Sequence, residues 1–443
     1  MKKKLLAIIT VILMVVSLIP VFAFPAMAES QVGKPLCFTA EEPGSIELFK
    51  DGSGYDISLE YSTDGKNWLD FSTGWIGVAT FERGTIVNFT KAGDKVYFRA
   101  KDVNKTFSDS AGASMTTWHY QFVIIDAKVS ASGDVTTLLE KNGGVTDLTD
   151  TTDGRYWKSC FASLFKDCVG LTTAPELPST KLTENCYASM FEGCTGLTTA
   201  PKLPATELAN TCYRQMFYGC SKLTTAPKLP ATELKDFCYD MMFAECIALT
   251  NAPKLSATTL KNGCYYQMFR NCENLEAIQF QQTVPPSVID NFTLGSTGFV
   301  AEGTKIVVPA ESVDDYKAAS GWENYKSQII GAYFINIEET ENGTVTADKQ
   351  YVPVIGATDK TVKLTVTPNE GCKFKSLKYN DGKDHDITST KEFTMPEKDV
   401  TVTAVFEKIV PDTADSNNMI LWCVLSLGAV ALATGVFIKR KEK

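Results

Sequence analysis

A chain of 443 residues, 44% apolar and 21% charged, is long enough for several folded units and ordinary enough in composition to bury them. Its formal charge of −9, with no basic stripe or aromatic–basic interleaving, argues against a nucleic-acid partner. Two histidines in the whole chain leave little material for imidazole-based catalysis.

The first 28 residues read as a secretory signal peptide. Lys2, Lys3 and Lys4 precede an apolar run from Leu5 to Phe24, and Ala26-Met27-Ala28 supplies a small-x-small cleavage site, with the cut between Ala28 and Glu29. Residues 29–127 form a predicted β-sandwich-like domain. Alternating runs at Tyr55–Tyr61 and Trp68–Phe71 flank a turn at Asp64-Gly65, the pattern of a hairpin. Lys95–Ala100 and Tyr120–Ile124 are further predicted strands, and the whole is similar to a fibronectin type III module. Ser62–Trp68 resembles a sialidase Asp-box but occurs once, so it is expected to be a turn with a packed tryptophan.

Residues 128–331 are organised by one motif spoken five times. Cys160, Cys186, Cys212, Cys238 and Cys264 recur every 26 residues, and Cys168, Cys194, Cys220, Cys246 and Cys272 form a second column. Phe165, Phe191, Phe217, Phe243 and Phe269 keep the same pitch, as do leucines from Leu171 to Leu275. Recurrence at such a period predicts stacking units, because one unit alone cannot bury its apolar face. Within a copy, Asn185 or Thr211 stands where a helix would be capped, and Cys186, Met190 and Phe191 predict one apolar face of a short helix ended by Gly193. Pro201 and Pro204 then forbid helix. The repeats resemble the leucine-rich repeats of BspA-like bacterial surface proteins with a 26-residue period. That resemblance implies a curved solenoid with one short strand per rung, closed by Lys305–Ala310 and an amphipathic helix from Glu311.

Residues 332–409 alternate at Gly343–Ala347, Val362–Thr367 and Val400–Phe406, and resemble the small β repeat in the stalks of bacterial surface proteins. Residues 410–443 close the chain. Met419 to Ile438 is uncharged and long enough to span about 30 Å of hydrocarbon as a helix, with Lys439-Arg440-Lys441 on its cytoplasmic side. With Val410-Pro411-Asp412-Thr413-Ala414 ahead of it, this resembles a Gram-positive cell-wall sorting signal, although Val410 and Ala414 replace the usual Leu and Gly. The resemblance implies sortase cleavage between Thr413 and Ala414 and attachment to peptidoglycan, with the 419–438 segment holding the membrane before or instead of sorting. The expected fold class is therefore multidomain α+β: a β-sandwich-like domain, a short leucine-rich-repeat solenoid with a C-terminal cap, a small β domain and a single C-terminal transmembrane helix.

Ten cysteines lie in the two columns. Neighbouring equivalents would stand about 5 Å apart, close enough for a disulfide, yet each column has five members and each interior cysteine two equivalent neighbours. Buried free thiols are the expectation. No Cys-x-x-Cys occurs and no histidine lies in the array, so neither a metal nor a cofactor is expected. His119 and His385 belong to no recognisable triad, and a carboxylate-pair glycan hydrolase is the remaining, disfavoured enzyme reading. Positions that vary while their neighbours repeat are candidates for recognition: Lys202, Lys228 and Lys254 as a contact row, and Tyr218 as an aromatic hot spot. The resulting expectation is a non-enzymatic, extracellular, cell-surface protein that adheres to a host or bacterial surface protein or glycan. A passive spacer without a specific ligand is the alternative.

Overall fold

The computed structural model describes residues 32–51, 57–71, 74–75, 81–83, 86–104, 120–152, 155–286, 299–301, 303–338 and 340–409. The signal cleavage pair Ala28 and Glu29, His119, the sorting pair Thr413 and Ala414 and the 419–438 segment lie outside them. The described residues fall into two compact units, one holding 32–334 and 351–360, the other 335–350 and 361–409.

In the first unit the five copies lie on one another, and the backbone shows why. In the copy from Asn185 to Cys194, the odd-numbered N–H groups of Asn185, Tyr187, Ser189, Phe191 and Gly193 donate to the carbonyls of Asn210, Cys212, Arg214, Met216 and Tyr218 in the next copy, at 2.8–3.2 Å. The even-numbered N–H groups donate three residues back within the copy, as Met190 does to Tyr187 and Cys194 to Phe191. Every donor of this run is satisfied, half by local turns and half by the next rung. Every fourth residue is left-handed: Asn185, Ser189 and Gly193 have φ of 58°, 53° and 71°, and Thr211, Gln215 and Gly219 repeat the pattern. The side chains of Cys186, Tyr187, Met190, Phe191 and Cys194 thereby all turn inward and are buried. One rung breaks the polar habit of the first left-handed site with Phe237, and the next rung answers with Gly263, where a Cβ would lie 2.2 Å from the Phe237 ring.

Two ring columns run through the stack. Phe161, Tyr187, Tyr213, Tyr239 and Tyr265 stack with centroids 5.7–6.1 Å apart, and Phe165, Phe191, Phe217, Phe243 and Phe269 at 5.3–5.7 Å, all within 11° of parallel. Register between rungs therefore sets equivalent aromatic side chains against each other, as it does in other stacked repeats.

These findings correct the expected fold class. The described residues are nearly all β, with a single α-helix of six residues, Val313–Ala318. They do not form an α+β chain with a leucine-rich-repeat solenoid. The predicted helix of each copy does not form, because stacking takes the alternate N–H groups that an α-helix would use internally and the left-handed residues interrupt it. Asn185 and Thr211 are consequently left-handed residues instead of helix caps. The expected C-terminal transmembrane helix falls at 419–438, outside the described residues, and among the described residues no helix is long and apolar enough to cross a membrane.

The N-terminal strands cover the first rung. One sheet has the order Leu69–Phe71, Leu59–Ser62, Lys95–Ala100, Leu36–Glu42, Lys128–Ser132 and Leu171–Thr173, the last pairing parallel and belonging to the first copy. The other is built on Gly44–Asp51, which pairs with Phe81–Arg83, Val87–Phe89 and Tyr120–Ile125. Phe38, Phe98 and Phe122 close the space between the sheets with centroids 4.9–6.0 Å apart. Phe122 then stands in for a missing earlier rung: its ring stacks on Phe165 at 5.6 Å, its N–H donates to Leu164, and its carbonyl accepts the Cys168 thiol at 3.0 Å. Buried Asp134 fastens the junction by accepting from the N–H groups of Gly33, Thr136 and Gly144. The hairpin turn forms as expected, and Arg99 lies 3.6 Å over the Trp68 ring.

From the fourth copy a parallel ladder runs through Lys254–Leu255, then past the last copy through Ala277–Phe280, Lys305–Pro309 and Ile329–Phe334 of the strand Ile329–Ile337. Tyr351–Pro353 then pairs antiparallel with Ala332–Phe334. Tyr316 and Trp322 pack with Phe280 under this end at 5.0–6.3 Å.

The second unit contains two small sheets. Gly343–Ala347, Thr361–Pro368 and Glu392–Thr394 form one, all antiparallel. In the other, Val400–Lys408 pairs antiparallel with Cys372–Asn380 and parallel with Ile335–Ile337, and Asp384–Asp386 adds a hairpin. Val362, Leu377, Val400, Val402 and Phe406 are its buried core.

Phe217→Ala removes the central ring of its column and is expected to destabilise the first unit by about 3–5 kcal/mol, read from the denaturant midpoint; a loss under about 1 kcal/mol would show that the column is not core. In the second unit, Gly343→Ala places a Cβ 2.4 Å from the Phe406 ring. It is expected to lower that unit's melting temperature and leave the unfolding of the repeats unchanged.

Candidate binding face

The remaining half of each rung is the displayed half. From Leu197 to Glu207 the leucines Leu197 and Leu203 point inward and are buried, whereas Thr198, Thr199, Lys202, Thr206 and Glu207 are exposed. Pro201 and Pro204 carry no N–H, so lateral bonding is confined to the residues flanking such positions. The Ala226 N–H donates to Asn251, and Leu182 to Glu207, across rungs. The next two copies repeat the exposure at Thr224, Thr225, Lys228, Thr232 and Glu233, then at Thr250, Asn251, Lys254, Thr258 and Thr259.

Lys202, Lys228 and Lys254 therefore occupy one row, each exposed at the same step of successive rungs. Glu176 opens that row in the first copy, where its backbone bridges Asp134. A second row follows along the same segment. Lys181 lies 3.5 Å from both Asp147 and Glu207, which raise its pKa, and Glu233 and Thr259 continue the row. Threonine hydroxyls flank the lysines, and some also tie rungs together, as Thr250 Oγ1 does by donating to the Thr224 carbonyl at 3.1 Å.

Tyr218 belongs to a different segment of the rung, and its environment differs. Its half-buried hydroxyl accepts from Arg270 Nη2 at 3.3 Å, two rungs away. The rung between carries Ala244 in that slot, fully buried, so nothing large stands between them. Arg270 also contacts Glu245 at 3.2 Å, and earlier in the row Lys166 pairs with Glu192 at 2.9 Å. Tyr218 acts as a brace between rungs, and the structure does not bring it to the lysine row.

One charged pair escaped the sequence reading. Arg214 Nε lies 2.8 Å from Asp240 Oδ2, one rung apart, with Asp240 buried. Burial pushes the Asp240 carboxyl from 3.8 up to about 6, against the opposing pull of Arg214. The available signal was the 26-residue separation of two opposite charges at equivalent steps. Among the described residues, no group of three or more His, Cys, Asp or Glu is arranged to hold a metal ion.

The second unit has a recognisable sequence. Residues 333–410 match the family model of the divergent InlB B-repeat domain. This is a repeat of bacterial surface proteins. A comparison with curated proteins finds none that matches the chain. Within the matched residues, His385 lies in the strand Asp384–Asp386, stacks on Tyr379 at 4.5 Å and contacts Asp381 Oδ1 at 3.0 Å. Tyr379 stacks in turn on Phe393 at 4.4 Å, so the histidine belongs to the packing of the second unit.

Because the folded Asp240 pKa is raised, the native state holds a proton that the unfolded chain has released. The associated stability is full below about 3.8 and is lost as pH rises through about 6. Asp240→Asn should abolish this component. Urea midpoints of the wild type relative to the variant should fall between pH 4 and 6; parallel curves would contradict the assignment.

Proposed function

We propose that this chain is a non-enzymatic surface protein of a Gram-positive bacterium, whose repeat array binds a protein or glycan on host or neighbouring cells. The reading is supported by one observation above all: the repeats present the same polar face rung after rung, with Lys202, Lys228 and Lys254 exposed in register. A face built this way offers one contact per rung, and such contacts add through effective concentration when a ligand spans several rungs. The B-repeat supports a surface setting, since it is a repeat of bacterial surface proteins. Sortase acting between Thr413 and Ala414 would join the exported chain to peptidoglycan. No cofactor and no nucleic acid enters the proposal.

Substitution of Lys202, Lys228 and Lys254 by Glu tests the reading. The side chains are exposed, so the fold should survive, with surface substitutions changing stability by only about 0.5 kcal/mol each. Adhesion of coated beads to host-cell and bacterial-cell layers is expected to fall at least about tenfold, corresponding to about 1.4 kcal/mol. Unchanged adhesion would move the contact off this row, and no adhesion by the wild type to any layer would favour a passive spacer.

A further inference from the structure

The two cysteine columns hold ten thiols, all buried and all unbridged. They are not equivalent to alanines. In the second column each thiol donates to the carbonyl of the phenylalanine one rung earlier: Cys168 to Phe122, Cys194 to Phe165, Cys220 to Phe191, Cys246 to Phe217 and Cys272 to Phe243, at 3.0–3.1 Å. Each repeat phenylalanine carbonyl that accepts such a thiol also accepts the N–H of the cysteine in its own copy, as Phe165 accepts from Cys168 and Phe191 from Cys194. The thiol thus fills the second acceptor site of a buried carbonyl at a point where the backbone supplies one donor. Serine would supply the donor with a more strongly hydrated group, whereas cysteine combines a weak donor with apolar packing.

A disulfide is incompatible with that arrangement. Bridging consecutive members of the column takes the hydrogen from both sulfurs and leaves two carbonyls short of a donor. Bridging Cys186 to Cys194 is worse, because drawing the two ends together would disrupt the succession of turns that lets the N–H groups of Tyr187, Ser189, Phe191 and Gly193 reach the next copy. In the unfolded chain, however, the eight-residue pair closes a shorter loop than the 26-residue pair and so forms at lower entropic cost. The bridges that form most readily before folding are the ones the stack cannot accommodate.

We propose that the array assembles only from the reduced chain and, once stacked, keeps its ten column cysteines as unreactive thiols, so that redox state gates folding of the first unit. Oxidation of the unfolded chain by a small disulfide such as oxidised glutathione forms one Sγ–Sγ bond per pair of cysteines. Two electrons pass to the reagent's disulfide, which leaves as two thiols carrying the two protons released by the protein. In the folded chain the attacking thiolate is not available. The sulfurs are out of solvent, and burial pushes Cys168, Cys220, Cys264 and Cys272 up to about 12.

Two measurements on the full chain test this. In the first, maleimide labelling is followed by peptide mass spectrometry with and without denaturant. The ten column cysteines are expected to label about a thousandfold more slowly in the native state, as opening of the stack controls access. Native labelling within tenfold of the denatured rate, or disulfide-linked column peptides in the native protein, would overturn the proposal. In the second, the denatured chain is treated with oxidised glutathione, diluted into buffer, and compared with a reduced control by resistance to proteolysis. The oxidised chain is expected to yield less than a tenth of the resistant first unit, with recovery after dithiothreitol. Equal yields would also overturn it. Cys220→Ser and Cys220→Ala complete the set: the serine variant keeps a donor toward Phe191 and is expected to refold in higher yield than the alanine variant, and the reverse order would refute the role given to the thiol.

Discussion

The structure depends on one division of labour in the backbone. Within each copy, alternate N–H groups turn back three residues and the others reach the next rung. A rung built this way has unsatisfied donors until a neighbour is present, so an isolated copy is unstable for polar as well as apolar reasons. The same alternation fixes the left-handed residues at every fourth position, twelve of them in the five copies being residues other than glycine. A left-handed residue with a side chain costs about 1 kcal/mol, and that strain persists only where surroundings determine it on all sides. Here the surroundings are the rungs above and below.

Such a ladder must be stopped at both ends. An unfinished row of N–H and C=O groups is a template for unwanted pairing. The chain uses related solutions at its two ends. At the start, Lys128–Ser132 receives the first copy in parallel on one side and Leu36–Glu42 antiparallel on the other, with Phe122 continuing the ring column. At the finish, Tyr351–Pro353 pairs antiparallel with Ala332–Phe334. The N-terminal sheets therefore share one apolar core with the repeats, running from Leu36 to Ile329. Their role toward the array is that of a cap.

The rung also separates stability from display. Residues between the cysteine columns are buried or braced across rungs, as in Arg214–Asp240 and Arg270–Tyr218. The proline-containing half makes fewer lateral bonds and exposes threonine, lysine and glutamate. Changes there alter charge and shape without disturbing the ladder, which is what a recognition surface requires. The second unit has its own core around Val362, Leu377 and Phe406, and residues 333–410 match the divergent InlB B-repeat domain, a repeat of bacterial surface proteins.

The sequence by itself determined the unit of 26 residues, the identity of the buried columns, the exposure of Lys202, Lys228 and Lys254, and the strands around Asp64-Gly65 and in 332–409, because periodicity and alternation report directly which side chains face inward. It could not decide the path of the backbone within a copy. Inward positions at Cys186, Tyr187, Met190, Phe191 and Cys194 repeat every four residues, and over nine residues that spacing is indistinguishable from the 3.6 of an α-helix. Only the neighbouring rung, by taking alternate N–H groups, chose turns over helix. Tyr218 shows the same limit: its variability among copies marked it for recognition, yet Arg270, 52 residues on, draws it into a brace. Contacts between residues that far apart have no local signature, so tertiary structure alone could assign them.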